Sequence, residues 1–238
     1  MNDLVKGASK LGIELTSLQR EQFQIYSHEL VLWNRKFNLT AITDGREIEL
    51  KHFLDSLALV VIPGYEEMQG QAFNIIDVGS GAGFPGLPLK ILYAEASLVL
   101  LEATAKKTSF LRHIISMLHL EKVEVVTGRA EEMAHLPVYR EQFSLAVSRA
   151  LAPMPTMSEL VLPFCRIGGK FVAYKKGDLQ EELAEAGNAI ALLGGDMKQV
   201  RKVSLEEMED RYLIVVDKVA PTPEKFPRRT GVPKRRPL

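Results

Sequence analysis

Large apolar residues in the first third of the chain recur every three or four positions, the period of a helix buried along one face. This stripe consists of Phe23, Tyr26, Leu30, Trp33 and Phe37. Thr16 or Ser17 provides a hydroxyl that can cap the start of the helix. A second helix is expected to begin after Asp44 and to end before Pro63. The pattern therefore predicts an N-terminal helical extension over residues 1–66, with Trp33 in its core.

From Phe73 onward, short β-branched and leucine-rich runs alternate with amphipathic stretches. The candidate strands are FNIIDV (73–78), SLVLLE (97–102), VEVVTG (123–128), FSLAVSR (143–149) and KFVAYK (170–175). Continuous apolar strands separated by helices indicate a mostly parallel sheet covered on both faces. Two later runs, KQVRKVSL and YLIVVDKV, have no helix between them and predict an antiparallel hairpin at the sheet edge. We therefore expect a seven-stranded α/β domain over residues 67–220.

The composition is that of an ordinary globular protein, with 46% hydrophobic and 25% charged residues. The formal net charge of zero conceals an asymmetry along the chain. Residues 225–238 hold six basic residues and no acid, which leaves 24 basic and 30 acidic side chains before them. We expect residues 221–238 to form an irregular or mobile basic tail. Such a tail suits an anionic partner, and a solvated tail without function is the alternative.

Membrane and secreted classes are disfavoured. The longest apolar run, LALVVI (57–62), is far shorter than the roughly 20 residues that span a bilayer. The N-terminal residues lack the apolar segment of a secretory signal, and Cys165 is the single cysteine, so no internal disulfide can form. We expect a cytoplasmic protein that does not contact membranes, with Cys165 buried among its apolar neighbours.

The stretch DVGSGAGFPG (77–86) follows the first predicted strand and contains four glycines. A nucleoside-triphosphate loop needs a lysine and a Ser or Thr after its last glycine, and Leu87 and Pro88 stand there instead. The spacing G-x-G-x-x-G of a dinucleotide site is present, but that pattern is weak alone, and no tyrosine has a lysine four positions on. A tight turn without a ligand also remains open.

An acid followed by G-x-G-x-G, here Asp77 and then Gly79, Gly81 and Gly83, resembles the S-adenosylmethionine (SAM) site of Rossmann-like methyltransferases. Glycines at these positions let a ligand lie against the main chain, where a Cβ would collide with it. Glu102 ends the second strand, where a carboxylate can accept both ribose hydroxyls.

A further contact is expected after the third strand, in GRAEE (128–132). There Ala130 can offer its N–H to adenine, and Glu131 can accept from the exocyclic amine. Acids favoured by a helix dipole are the alternative explanation of this stretch.

The methyl acceptor is expected to meet SRALAPM (148–154), which follows the fourth strand. This stretch lacks the Asn/Asp-Pro-Pro-aromatic pattern of adenine amine methylases, and Cys165 is a poor candidate for the nucleophile that pyrimidine C5 methylation requires. An acceptor with its own lone pair fits best, and guanine N7 is one that needs no general base. The five histidines show no metal-ligand spacing, so we expect no metal.

The ordered set of motifs resembles the bacterial GidB family, also called ribosomal RNA small-subunit methyltransferase G. The resemblance runs nearly end to end and rests on WNRKFNLTAI, KHFLDSL, IIDVGSGAGFPGLPLKI, LLEATAKKTSFLRH, GRAEE, SRALAP, GGKFVAYKKG and FPRRTGVPKRRPL. It implies a Rossmann-like SAM-dependent methyltransferase fold and methylation of N7 of one guanine in 16S ribosomal RNA. The implied partner is that RNA, within the small ribosomal subunit or an assembly intermediate, and we expect a monomer.

The resemblance also implies roles for individual residues. Those expected at the cofactor are Asp77, Gly79, Gly81, Phe84, Glu102, Ala103, Thr104, Ala130, Glu131 and Arg149. Those expected on the acceptor side as catalytic residues are Arg149, Lys175, His52 and Asp55. Lys175, Lys176 and the tail arginines are candidates for RNA phosphates or a solvated surface. Asn38 is grouped with His52 and Asp55 as closing over the acceptor, with helix caps or helix-surface pairs as the alternative for these three residues.

Three alternatives stay open at this stage. The chain could be a SAM enzyme acting on a small molecule or a protein, although the basic tail would then be unexplained. It could be a nicotinamide oxidoreductase, which titration with NAD(H) against SAM would distinguish. It could also be a non-catalytic RNA-binding module, which would bind SAM without transferring its methyl group.

Overall fold

The computed structural model describes residues 1–64, 73–204 and 210–238. The N-terminal extension contains α1 (Asn2–Lys10), α2 (Ser17–Phe37) and α3 (Gly45–Ile48), followed by a π-helical turn (Glu49–Leu54), α4 (Asp55–Leu57) and a 3₁₀ turn (Ala58–Val61). Thr16 caps α2 in a capping box with Gln19, and Asp44 caps α3. The two predicted helical stretches are therefore confirmed, although the second changes helix type along its length. The expected boundary at residues 66 and 67 lies outside the described residues.

The sheet has the strand order β3-β2-β1-β4-β5-β7-β6. Its strands are β1 (Asn74–Val78), β2 (Ser97–Glu102), β3 (Val123–Thr127), β4 (Phe143–Arg149), β5 (Cys165–Lys176), β6 (Gly195–Val203) and β7 (Arg211–Lys218). Strands β1 to β5 are parallel, whereas β7 runs antiparallel to both β5 and β6. The predicted seven-stranded sheet and its antiparallel edge pair are confirmed, and β5 begins five positions earlier than the sequence pattern indicated.

Helices cover both faces of this sheet, as the buried strands require. They are α5 (Gly86–Leu92), α6 (Ala105–Met117), α7 (Ala130–Met133), α8 (Met154–Val161) and α9 (Gln180–Leu192). The extension contributes to the core on one face, because Phe53 and Tyr26 are fully buried with their ring centroids 5.2 Å apart. Trp33 packs against Phe110 of α6. The extension and the α/β part therefore share one hydrophobic core.

The C-terminal residues have an irregular backbone with one short helix, α10 (Val232–Arg235), but they are packed against the body. Arg140 donates to the carbonyl oxygens of Thr222 and Phe226, at 2.8 and 2.9 Å. The Phe226 side chain is buried. The expected irregular backbone is therefore present, and the segment is also packed against the body, which composition alone does not indicate because it does not reveal an apolar anchor such as Phe226.

Across the parts of the chain that the structure describes, no helix combines the length and the apolar run that crossing a bilayer requires.

Candidate cofactor and acceptor site

The glycine loop after β1 has a backbone that only glycine adopts easily. Gly79, Gly81 and Gly83 have φ values of +77°, +60° and +98°. A Cβ at Gly79 would lie 2.7 Å from Cδ1 of Leu151, and one at Gly83 would lie 2.6 Å from the hydroxyl of Tyr26. The loop therefore presents bare main chain at the carboxyl end of β1, the edge where ligands bind in open α/β sheets.

Asp77 lies at the base of this loop and is fully buried. Its Oδ2 accepts a hydrogen bond from the N–H of Gly86 at 2.8 Å, whereas no described group bonds its Oδ1. Burial raises the pKa of Asp77 to about 7. The loop thus rests on a buried acid that has one acceptor to spare.

Glu102 joins the glycine loop to the loop after β2. Its Oε2 accepts from the N–H of Gly81 at 3.0 Å, and its Oε1 accepts from the N–H of Thr104 at 2.8 Å. Each oxygen keeps a second lone pair, so the predicted bonds to ribose hydroxyls are compatible with these main-chain contacts. Ala103 is exposed beside the carboxylate, and Thr104 precedes the first turn of α6.

The glycine loop, Glu102 and Asp77 together fit the chemical groups of SAM. The crevice combines a side-chain-free loop, a carboxylate placed for hydroxyl groups and a buried acid with a spare acceptor. Ala130 is the first residue of α7, which follows β3 at the same edge of the sheet. Glu131, however, already accepts at Oε1 from the N–H of Gly231 in the tail, at 3.0 Å. Its contact with adenine stays a prediction.

Arg149, the last residue of β4, is held by the N-terminal extension. Its Nη1 donates to Oδ2 of Asp55 at 2.7 Å and to the carbonyl oxygen of Lys51 at 3.0 Å. The other oxygen of Asp55 pairs with Nε of Arg211 at 3.1 Å. Only 15% of the Arg149 side chain and 5% of the Asp55 side chain are exposed. This is a buried network of two cations and one anion rather than a surface ion pair.

His52 completes the network, and its neighbours fix its tautomer. Nδ1 lies 3.0 Å from Nη2 of Arg149, which can only donate, so Nδ1 must accept. Nε2 therefore carries the proton and donates to Oγ1 of Thr40 at 2.9 Å. Burial, with Arg149 as the second cause, lowers the pKa of His52 to about 3. The imidazole is neutral near pH 7, and both of its nitrogens are occupied.

Phe84 links the cofactor loop to this network. Its ring stacks on the His52 ring with centroids 4.4 Å apart and on the Tyr26 ring at 5.3 Å. The guanidinium carbon of Arg149 lies 5.0 Å from the centroid of Phe84. Phe84 is consequently buried between the glycine loop and the extension, and both halves of the site depend on its position.

A cleft of about 520 Å³ opens next to the network. It is lined by Ile42, Lys51, His52, Asp55, Arg149, Ala150, Leu151, Ala152, Pro153, Tyr174, Lys175, Lys176, Glu182 and Arg211. Leu151 also contacts Gly79, so the cleft adjoins the cofactor crevice. The exposed Lys176 lies at its rim. This arrangement places a volume large enough for a nucleobase beside the glycine loop.

Lys175 has its charge satisfied within the protein. Its Nζ donates to the carbonyl oxygen of Ala152 at 2.7 Å and forms an ion pair with Glu182, and its side chain is 10% exposed. Glu182 also accepts from the N–H of Met154 at 2.5 Å. The pair therefore holds the loop between β4 and α8. This geometry favours a positioning role for Lys175 over the expected phosphate contact.

Comparison with known proteins identifies the family. The model of the family described as GidB, rRNA small subunit methyltransferase G, matches residues 19–213. A ribosomal RNA small subunit methyltransferase G from Dehalococcoides mccartyi is 50% identical over the whole of both chains. The chain belongs to the GidB family. Proteins of the same name from Roseiflexus castenholzii and Streptococcus gordonii are 46% and 42% identical, over 100% and 97% of this chain and 100% and 96% of theirs.

Solved structures show the fold of this GidB protein at low sequence identity. A SAM-dependent methyltransferase from Aquifex aeolicus aligns with a TM-score of 0.52 at 16% identity, over 72% of this chain and 93% of its own. A mutant of MtNAS in complex with S-adenosylmethionine aligns with a TM-score of 0.55 at 17% identity, over 85% and 72% of the two chains. The predicted family and the predicted Rossmann-like methyltransferase fold are both confirmed.

Sequence reasoning on this GidB chain missed two site residues and grouped one wrongly. Arg211 begins β7 and Tyr26 lies on α2, and neither falls within a motif that points to the crevice. Asn38, expected near His52, instead ends α2 in a left-handed conformation with φ of +49° and does not line the cleft. Asn38 therefore has the helix-cap role that was the alternative expected from the sequence.

Proposed function

We propose that this chain transfers the methyl group of SAM to N7 of a guanine in 16S ribosomal RNA. One observation carries the assignment beyond family membership. The bare-backbone crevice at Gly79 and the cationic cleft at Arg149 adjoin each other, with Leu151 in contact with both. An enzyme that aligns a methyl donor with a base needs two such neighbouring volumes.

SAM, when bound, supplies an electrophilic methyl group on its sulfonium, and guanine N7 supplies the electron pair. The chain therefore has to orient the two reactants and has no proton to remove. His52 agrees with this requirement, because both of its ring nitrogens are already engaged. Cys165 is fully buried, and burial raises the pKa of its thiol to about 12, which argues against a covalent intermediate. Orientation alone can lower a barrier by roughly 7 to 11 kcal/mol.

We assign the residues to two groups. Glu102, with Ala103 and Thr104, faces the ribose, and Gly79, Gly81 and Phe84 line the methionyl end above Asp77. At the acceptor, Arg149 is the group that we expect to contact the target nucleotide. Asp55 and His52 fix its guanidinium plane, and Lys175 fixes the loop that carries Leu151. Ala130 and Glu131 remain the candidates for adenine.

Mass mapping of 16S RNA from cells with and without the gene tests the proposal. We expect one 7-methylguanosine to disappear in the deletion strain and to return when the gene is restored. Purified protein with SAM and 16S RNA, naked or in small subunits, should restore the same mark in vitro. Loss of a methyl group from another atom, a protein or a small molecule would contradict it.

A further inference from the structure

The basic C-terminal segment is anchored by a buried ion pair. Arg228 bonds both oxygens of Glu159 on α8, with Nε 2.9 Å from Oε1 and Nη2 2.6 Å from Oε2, and its main-chain N–H donates to Oε1 at 2.8 Å. None of the Glu159 side chain is exposed. Forked pairs of this kind are specific in geometry, and removing one partner would leave a charge buried without compensation.

Further hydrogen bonds fix the backbone of the segment that follows this anchor. Nη2 of Arg228 donates to the carbonyl oxygen of Arg236 at 2.7 Å. Oγ1 of Thr156 on α8 donates to the carbonyl oxygen of Pro233 at 3.0 Å, and the N–H of Gly231 donates to Glu131 of α7 at 3.0 Å. Residues 228–236 therefore follow a defined course over α7 and α8.

The cations of this segment divide into two kinds. Arg228 is committed to Glu159, whereas the side chains of Arg229, Lys234, Arg235 and Arg236 are exposed. Within the described ranges, none of these four forms an ion pair with a carboxylate. Glu131 and Glu132, which line a shallow pocket together with Arg229, each give one oxygen to the tail, to the N–H of Gly231 and the hydroxyl of Thr230. The four exposed cations lie within eight consecutive residues, 229–236, which we call the tail surface.

The location of this surface is set by the helices beneath it. α7 follows β3, and α8 follows β4, so both helices leave the sheet at the edge where the glycine loop and Arg149 lie. A polyanion seated on the surface would therefore approach the protein on the substrate side. RNA presents regularly spaced phosphates, and fixed arginines and lysines are suited to bind them.

We propose that Arg229, Lys234, Arg235 and Arg236 form a fixed surface that binds the phosphate backbone of the RNA substrate, with Arg228 as its structural anchor. The inference rests on the proposed function for the identity of the polyanion. It adds a second RNA contact, separate from the cleft that receives the base. It also assigns different roles to two adjacent arginines, since Arg228 anchors the segment and Arg229 binds phosphate.

A charge-removal variant tests the surface. The variant carries Arg229→Gln, Lys234→Gln and Arg235→Gln. Its control carries Lys122→Gln, Arg166→Gln and Lys198→Gln, three exposed positions of which the first two lie at the amino ends of β3 and β5 and the third lies in the edge strand β6. Methyl transfer to 16S RNA is measured against salt concentration. In the tail variant we expect KM for RNA to rise at least tenfold, and the slope of log KM against log salt to fall by about 2 for three lost contacts. kcat at saturating RNA and the Kd for SAM should stay unchanged.

The control variant should match the parent protein in KM and in salt slope. Equal changes of KM and salt slope in both variants would mean that only the net charge of the protein matters, which would overturn the proposal. An unchanged KM and slope in the tail variant would also overturn it. Arg228→Gln tests the anchor, because the charge it removes is already paired with Glu159. We expect it to raise KM for RNA and to speed tryptic cleavage after Arg229, and an unchanged KM would refute the need for a fixed backbone.

Failure of the proposed function would look different. It would appear in the parent protein as methyl transfer to no RNA. Direct titration of labelled 16S RNA with the parent, tail and control proteins still measures the surface in that event, because it requires no catalysis. If the Kd for RNA and its salt dependence were equal in all three proteins, the proposed RNA contact of the tail would be refuted whatever the reaction is.

Discussion

Arg149 and Asp55 lie 94 positions apart in sequence, and Nη1 of one donates to Oδ2 of the other at 2.7 Å inside the protein. Asp55 also holds Arg211, so a single carboxylate neutralises part of the charge of two guanidinium groups. Asp55→Asn removes that charge and leaves two cations facing each other. We expect the free energy of unfolding to fall by about 3 kcal/mol, since breaking a buried pair costs roughly 3 to 5. Urea unfolding measures this.

Activity should respond to the same substitution in a specific way. With Arg149 released, kcat should fall by about a hundredfold, the order expected from a misplaced orienting group. The Kd for SAM should change by less than threefold, because Glu102 and the glycine loop are untouched. Glu95→Gln is the control, since it breaks only an exposed pair with Lys122. Full activity in the Asp55 variant would contradict a positioning role.

The pKa values of His52 and Asp77 predict opposing effects of pH on stability. Burial lowers the pKa of His52 from 6.5 to about 3, so its contribution is present above pH 6.5 and is lost as pH falls towards 3. Burial raises the pKa of Asp77 from 3.8 to about 7, so its contribution is present below pH 3.8 and is lost as pH rises through 7. Between pH 4 and 6.5 the two slopes therefore oppose each other.

Single substitutions should separate these slopes. Compared with the parent, Asp77→Asn should gain stability with rising pH over this window, and His52→Gln should lose it, each by about 1 kcal/mol per pH unit. Denaturant unfolding at four or five pH values measures both. Parallel curves for the parent and either variant would show that the group in question has an ordinary pKa.

Glu102→Ala should weaken SAM binding at least tenfold, or about 1.4 kcal/mol. The substitution removes the predicted acceptor for ribose and also the partner of two main-chain N–H groups, at Gly81 and Thr104. Isothermal calorimetry measures the Kd, with the exposed Glu121→Ala as the control. An affinity equal to that of the parent would refute the role.

Cys165→Ala should keep methyl transfer within twofold of the parent, because the thiol is buried and does not reach the cleft. Stability should fall by about 1 kcal/mol through loss of the packed sulfur. Initial rates and unfolding curves test both statements together. Loss of activity in a folded variant would revive a covalent mechanism.

Most of the fold was predictable because its signals are local. The runs at 97–102 and 143–149 match β2 and β4 residue for residue, since apolar strands between amphipathic helices have clear limits. The capping box at Thr16 is equally local. The π-helical turn at Glu49–Leu54 had no comparable signal, and its contacts are distant in sequence, since the Glu49 carboxylate accepts from the N–H groups of Asp3 and Leu4 in α1.

The site was predictable only in part, for a related reason. Glycine spacing identifies a loop that a ligand can approach. The position of Glu102 at the carboxyl end of β2 was predictable because the apolar run that forms this strand ends there. The bond between Asp55 and Arg211 joins residues from opposite ends of the chain, and sequence spacing carries no information on such a contact. The sequence likewise does not distinguish the roles of the neighbouring Arg228 and Arg229. The structure does, because Arg228 pairs with the buried Glu159 whereas Arg229 is exposed.

The strand order has a consequence for how the protein matures. β6 pairs only with β7, and β7 is the strand that contacts β5, so β6 has no partner in the sheet until the strand after it has been made. Arg211 is the first residue of that last strand. A growing chain consequently lacks one wall of its cleft until β7 has been synthesised. Until then Asp55 has only one of its two guanidinium partners, that of Arg149.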